Sequence, residues 1–185
     1  WRGERLRGKS LLVWPEQGMG DEIQFCRYLP LLKRQGTARI TLVCKAPLKA
    51  LMETLEGVDA IFPATAAETP LTDHDYWTCP LSIPLYCRTG LTTIPAQLPY
   101  LHAPPEYVAK WTKRLPRDHR LKVGLVWKGS ALHHNDAQRS LPDLGILAPL
   151  WSVPDVQFIS LQKERDEEQA LHPPAQQPLL ALGHE

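Results

Sequence analysis

Short β-rich runs alternate with stretches of helical apolar spacing along the first eighty residues. Ser10-Leu11-Leu12-Val13-Trp14 reads as a buried strand, followed by a glycine-rich turn. From Asp21 to about Arg34, the residues Ile23, Cys26, Leu29 and Leu32 recur at three-residue spacing, with Phe25 and Tyr28 widening the face, which predicts a helix. Pro30 has no N–H for the carbonyl of Cys26, so a kink is expected there, and Gly36 ends the helix. Residues 38–44 (Ala-Arg-Ile-Thr-Leu-Val-Cys) predict a second strand, and Pro47 to Glu56 a helix with proline at its start. Asp59 to Phe62 and Tyr76 to Cys79 complete a strand–helix–strand series, the pattern of a parallel sheet with helices on its faces.

The pattern then breaks and restarts. Pro95, Pro99, Pro104 and Pro105 interrupt residues 92–105, Glu106 to Leu115 is helical in pattern, and Pro116 to Arg120 is a charged turn. A strand follows at Lys122 to Trp127, then a polar loop, a helix from about Asp143 to Trp151, a strand at Val156 to Leu161, and a tail rich in Pro and Gln. The expected organisation is a Rossmann-like domain over 1–103, a linker and helix over 104–120, and a second Rossmann-like domain beginning at 121–185. One β-α-β unit cannot cover both faces of a parallel sheet, so the second domain is expected to be cut off in mid-fold. Its open sheet edge would favour pairing with another copy, a homo-oligomer.

Composition narrows the function classes. Lys and Arg total 21 against 20 Asp and Glu, for a net charge of +1, which gives no general reason to expect nucleic-acid binding. No apolar run is long enough for membrane insertion, and no leader-peptide pattern opens the chain. Cys26, Cys44, Cys79 and Cys87 have no zinc-ligand spacing, and the first two sit in apolar-periodic segments. Reduced, buried thiols in a cytoplasmic protein are therefore expected.

Several motifs invite chemistry. Gly3 to Ser10 matches the Gly-x4-Gly-Lys-Ser phosphate loop, but a strand follows Ser10 where that loop needs a helix, so the match is discounted. Gly18-Met19-Gly20-Asp21 falls between a strand and a helix, at the sheet end where ligands bind. It fails as a dinucleotide fingerprint: Ile23 stands at the third glycine position, and no acid lies between Glu22 and Glu53 to hold a ribose, so an NAD-dependent oxidoreductase is disfavoured and no cofactor is expected. Asp21 has two readings, a helix cap in an Asp21-x-x-Gln24 capping box or a catalytic or binding carboxylate. The second strand–helix loop carries Lys128, Gly129, Ser130 and Arg139-Ser140-Leu141-Pro142-Asp143. Ser140-x-x-Asp143 reads as a helix start, or, with Arg139, Lys128 and the Ser130 hydroxyl around it, as a diphosphate cradle. His133, His134 and Asp136 lack a further ligand at metal spacing, so no metal is expected. Lys163 follows the last strand at the same sheet end, within reach of a ligand or simply solvated.

The run from Glu16 to Leu32 resembles the first loop and helix of bacterial glycosyltransferase domains carried behind tetratricopeptide repeats, relatives of the lipopolysaccharide heptosyltransferases (ADP-heptose transferases). Residues 76–84 (Tyr-Trp-Thr-Cys-Pro-Leu-Ser-Ile-Pro), 94–101, 123–130 (Val-Gly-Leu-Val-Trp-Lys-Gly-Ser), 134–142 and 158–163 (Phe-Ile-Ser-Leu-Gln-Lys) carry it across nearly the whole chain. The resemblance implies the α/β GT-B fold, with an acceptor mostly on the first domain and a nucleotide-sugar donor mostly on the second. It implies Asp21 as the base, with Gln17, Gly18 and Gly20 beside the substrate, and Lys128, Ser130, Arg139, Ser140 and Lys163 toward the donor phosphates. The expected reaction is inverting, metal-independent transfer of a sugar to an acceptor hydroxyl. The family's later Asp-Thr-Ala…His donor segment does not occur before Glu185, so this stretch is expected to be an incomplete and inactive fragment. A non-catalytic module that retains the fold and holds a nucleotide or glycan is the alternative.

Overall fold

The computed structural model describes residues 1–65, 73–173 and 179–183. It divides into two compact units, Trp1–Leu115 and Pro116–Glu185. Both are built on parallel sheets with helices in the connections.

In the first unit, strands β1 (Ser10–Val13), β2 (Arg39–Cys44), β3 (Ala60–Pro63) and β4 (Tyr76–Thr78) form an all-parallel sheet in the order β3-β2-β1-β4. Leu12 of β1 stands between Thr41 and Trp77. The Trp14 N–H extends the pairing to the Thr78 carbonyl at 2.9 Å. Because β1 is central, Leu11, Leu12 and Val13 are all buried, as a continuous apolar run in a two-faced sheet requires.

The connection after β1 is helical from Met19 to Arg34, in three pieces. Helix α1 (Met19–Phe25) passes through a 3₁₀ turn, Cys26–Tyr28, into α2 (Leu29–Arg34). The tightening occurs at the turn preceding Pro30, where the Leu29 N–H bonds the Cys26 carbonyl. Cys26, Leu29 and Leu32 form the buried stripe against Leu11, Val13, Ile40 and Leu42. Leu32 is fully buried, so Leu32→Ala would cost about 3 kcal/mol. Gly36, at φ 96°, turns the chain out of the helix. The Lys45–Thr54 stretch is a 3₁₀ turn, Ala46–Leu48, followed by the short α3 (Lys49–Met52). After β4 a 3₁₀ turn, Pro80–Ser82, leads into α4 (Ile83–Tyr86), and α5 (Pro105–Thr112) closes the unit.

The second unit departs from expectation in two ways. Its sheet, in the order β5-β6-β7 and all parallel, has three strands: β5 (Leu121–Leu125), β6 (Val156–Ser160) and β7 (Leu179–Ala181). The expected single β-α-β is thus extended by α7 (Glu168–Leu171) and β7, which pairs with β6 and leaves β5 and β7 as the edge strands. Residues 174–178 of the Pro- and Gln-rich tail, and the final residues 184–185, lie outside the described part. The expected helix over Asp143–Trp151 is a 3₁₀ stretch, Leu144–Ser152, with Pro149 inside it. A proline there removes a donor and crowds the preceding turn, favouring the tighter, irregular winding. Trp127, Leu144 and Ala170 are the buried centre of this unit, with Leu125, Leu141, Leu147, Trp151 and Leu179 around them.

Candidate functional site

In the first unit the candidate residues lie in the loop between β1 and α1. Gln17 takes the left-handed conformation at φ 59°, and Gly18 is the extended residue that precedes the first helical turn. The helix therefore starts three residues earlier than the Asp21-x-x-Gln24 pattern suggests. Asp21 sits in the first turn, not at the cap, and its Oδ2 accepts the Gly18 N–H at 2.9 Å. A glycine cap offers no side chain, so the capping signature in the sequence shifts to the next acid that can reach back. Among the described residues the other oxygen of Asp21, Oδ1, accepts no hydrogen bond. Gly20 has open space where a Cβ would stand, while a Cβ on Gly18 would lie 3.2 Å from the Asp21 carboxylate.

This loop rests on a residue the sequence reading passed over. Glu22 is 4% exposed, and its Oε1 meets the Lys45 ammonium at 2.6 Å while Oε2 accepts the Lys45 N–H at 3.0 Å. The same ammonium donates to the Gln17 carbonyl at 2.6 Å. One lysine at the end of β2 thus ties the helix carboxylate to the left-handed residue of the loop. Glu16 joins the third strand end, its Oε1 accepting the Leu81 N–H at 3.0 Å. The legible signal was position: Glu22 lies four residues before Cys26 and seven before Leu29, on the buried stripe.

The phosphate-loop lookalike is occupied by its own chain. Lys9 Nζ and Ser10 Oγ both donate to Asp75, each at 2.9 Å, and Ser10 begins β1. The Ser10 N–H also donates to Asp75 at 2.7 Å, and that bond, with the Lys9 and Ser10 side chains, holds the carboxyl well below the usual carboxylate range. Burial raises the Cys26 thiol to about 12 and that of Cys44 to about 11, so neither is a thiolate at neutral pH.

In the second unit the candidate loop runs from Trp127 to Ser140. The side chain of Gln162, 3% exposed, accepts the N–H groups of Trp127 at 3.0 Å and Lys128 at 2.9 Å and donates to the Lys128 carbonyl at 3.3 Å. Gln162 was also missed; it continues the buried Phe158–Ser160 face one step past β6. Lys128 is turned inward, its side chain 8% exposed, donating to the Pro142 carbonyl at 2.7 Å and standing 3.2 Å from Asp166. Ser130 Oγ accepts the Leu132 N–H at 3.3 Å.

No helix begins at Ser140. A short helix, α6 (Asp136–Arg139), precedes it, so Arg139 lies in a last turn rather than at an amino end, and Ser140 is the residue after it. The Ser140 hydroxyl accepts the Gly129 N–H at 2.9 Å and donates to Asp136 Oδ1 at 2.5 Å. Asp136 also pairs with Arg165 at 2.5 Å, a partner not foreseen, and both contacts hold its carboxyl low. The proline after Leu141 cannot supply a helical N–H, and Leu141 instead donates to Trp127 at 2.8 Å, pulling the chain across the loop. Arg139 and Lys163 are exposed and, among the described residues, have no side-chain partner. The His133 and His134 rings stack at 4.6 Å. Among the described residues, no three of His, Cys, Asp or Glu are grouped to hold a metal ion, and no helix is long and apolar enough to cross a membrane.

Comparison with known proteins adds to this geometry. No protein-family model matches the chain. Over 184 residues it is 29% identical to Protein FlbA of Caulobacter vibrioides, covering 91% of this chain and 31% of that protein's length. It superposes with a TM-score of 0.66 on the crystal structure of the glycosyl transferase family 9 protein from Veillonella parvula, across 99% of this chain and 71% of that one, at 13% identity. The fold is shared with a glycosyltransferase. Both units thus belong to an α/β, Rossmann-like architecture of GT-B type.

Proposed function

We propose that this chain is the sugar-transferring part of a glycosyltransferase that moves a sugar from a nucleotide-diphosphosugar to an acceptor hydroxyl, with inversion and without a bound metal. The carrying observation is the Asp21 carboxylate, fixed at the carboxyl end of β1 by the Gly18 N–H with Oδ1 left without a partner among the described residues. The shared fold supports the same reading. In it, Oδ1 takes the acceptor proton as the hydroxyl oxygen bonds to the anomeric carbon and the bond to the diphosphate breaks. Gln17, Gly18 and Gly20 line the approach of the acceptor.

The donor phosphates fall to the second unit, where Arg139, Lys163 and the Ser130 hydroxyl are exposed. Lys128 and Ser140, held by Asp166 and Asp136, shape the loop and lend it charge and a hydroxyl. These groups take the role that a divalent cation has in other phosphate chemistry, stabilising the charge on the departing diphosphate. The chain spans 31% of FlbA, so residues outside it complete the donor site in this reading.

The test is release of nucleoside diphosphate from a panel of nucleotide-sugars by the intact protein. Asp21→Asn is expected to slow release by about 10² to 10⁴-fold with donor binding retained. Normal rates in that variant would remove the base assignment. Saturable nucleotide binding with no turnover in the wild type would favour a binding module, since Lys128 and Ser140 are already satisfied within the fold.

A further inference from the structure

At the other end of β1 from Asp21, a groove of about 450 Å³ opens among Arg5, Arg7, Gln35, Tyr86 and Arg88. We propose that this groove binds a multivalent oxyanion of the phosphate class, of about the size of inorganic diphosphate.

Three arginines line it, two from the segment before β1 and one from the end of α4. Leu6 is buried in the core while its neighbours Arg5 and Arg7 are exposed. The stem of Arg7 lies over Gly36, where any Cβ would come within 3.1 Å of its Cγ, and the Gly8 N–H bonds the Gly36 carbonyl at 2.9 Å. That contact fixes the direction in which Arg7 leaves the backbone. Among the described residues, none of the Arg5, Arg7 and Arg88 guanidinium groups has an ion-pair or hydrogen-bond partner. Among the described residues Glu4 is the single carboxylate in the lining, and it is turned to the Arg2 N–H at 2.6 Å, which keeps it ionised. The groove retains two positive charges in surplus.

Arg88 supplies an independent argument. It stands at φ 52° just past Cys87, the residue that caps α4, with its N–H on the Leu85 carbonyl at 3.0 Å and the Thr89 N–H on the Pro84 carbonyl at 2.9 Å. This is the Schellman ending of a helix, in which the left-handed position is ordinarily glycine because a Cβ is strained there. The backbone motif needs nothing from the side chain at 88, yet an arginine occupies it and lines the groove. Guanidinium forks match the paired oxygens of phosphate groups, and several unpaired forks in one concavity favour a dianion or higher charge over a lone carboxylate.

The experiment is a titration of the ¹⁵N-labelled intact protein with sodium diphosphate at constant ionic strength, with acetate as control. Saturable amide shifts are expected at Gly3, Arg5, Arg7, Gln35 and Arg88 with diphosphate and none with acetate. Arg88→Gly is expected to weaken binding about tenfold, the loss of one charge-assisted pair, while raising the melting temperature by relieving the left-handed strain. Arg5→Gln is expected to weaken it similarly. Absence of saturable shifts up to about 10 mM diphosphate overturns the site, as does unchanged affinity in Arg88→Gly or a lower melting temperature in that variant. Arg139→Gln is expected to leave these five amides responding as before. Loss of their response in that variant would overturn a separate site, whereas failure of the glycosyl-transfer reading leaves these shifts untouched.

Discussion

The loop after β1 and the loop after β5 each follow the first strand of their unit, one central in its sheet and the other at an edge, and they are held in different ways. The first is anchored from beneath by Glu22, a buried carboxylate, through one lysine that reaches both the helix and the left-handed Gln17. The second is anchored by Gln162 from the next strand end and by the pairs Lys128–Asp166 and Arg165–Asp136. Behind the first lies a broad apolar cluster running from Leu6 to Ile83, and behind the second a small one centred on Trp127, Leu144 and Ala170. A loop on a large core can be fixed by a single ion pair. A loop on a small core is held by several polar ties, from the buried Gln162 to the Arg165–Asp136 pair, whose exposed arginine makes that tie the weaker one.

The largest expected effect tests how far the second unit depends on close backbone approach. A Cβ on Gly183 would fall 1.7 Å from the Gln162 carbonyl oxygen, which is backbone and cannot swing away. Gly183→Ala is expected to cost about 3 kcal/mol and to loosen Gln162, with it the loop after β5. Amide spectra should lose dispersion at Trp127 and Lys128 while Leu11 and Ile40 keep theirs. An unchanged melting temperature would show that the end of β7 does not support that loop.

A comparable effect is expected in the first unit, by a different route. Lys45→Met leaves Glu22 buried without its cation, for a loss of about 3 kcal/mol. Adding Glu22→Leu removes the stranded charge and should recover most of that loss, because a well-packed apolar pair often matches a buried ion pair. Denaturant unfolding of the single and double variants measures both. If the double variant is no better than Lys45→Met, the ion pair contributes geometry that packing cannot replace.

The parallel sheets were legible because β1 carries an unbroken apolar run and β2, β5 and β6 are short β-rich runs, all set between turn residues. The helix pieces were less so. Gly18 has no capping side chain, so the sequence pattern pointed to Asp21 as the cap, three residues late. Ser140 and Asp143 carry the letters of a capping box, but Ser140 is spent on Asp136 and Gly129, and Asp143 makes no cap bond. β7 is three residues long, too short for any period to show. Glu22 and Gln162 escaped because charged and amide side chains are ordinarily assigned to solvent, and only their place on a buried stripe or strand face tells otherwise. Of the candidate site, the positions of the two loops were readable and their internal bonding was not.

Acid should separate the two anchors more gently. Arg165 and Ser140 depress the Asp136 carboxyl in the folded state below its unfolded value. The pair therefore contributes stability above the usual carboxylate range, and that contribution is lost as pH falls toward the folded value. Asp136→Asn is expected to melt lower than wild type at neutral pH and to lose less on acidification below about pH 4. Equal pH dependence in the two proteins would mean that Arg165 does not hold the loop.

The smallest expected change bears most directly on Asp21. Gly20 lies inside the first turn of α1 with open space at its Cβ position, and its φ is not in the left-handed region. Nothing in the fold calls for glycine there. Gly20→Ala should therefore stabilise the protein by about 0.5 kcal/mol, by narrowing the unfolded ensemble and favouring the helix. The first unit's loop is already fixed by Lys45, so the added methyl group should leave the Asp21–Gly18 contact in place. If transfer activity falls while the melting temperature rises, the open space at Gly20 is kept for a substrate that comes close to the backbone. If activity is unchanged, the acceptor approaches Asp21 from another side, and the loop after β1 serves to hold the carboxylate alone.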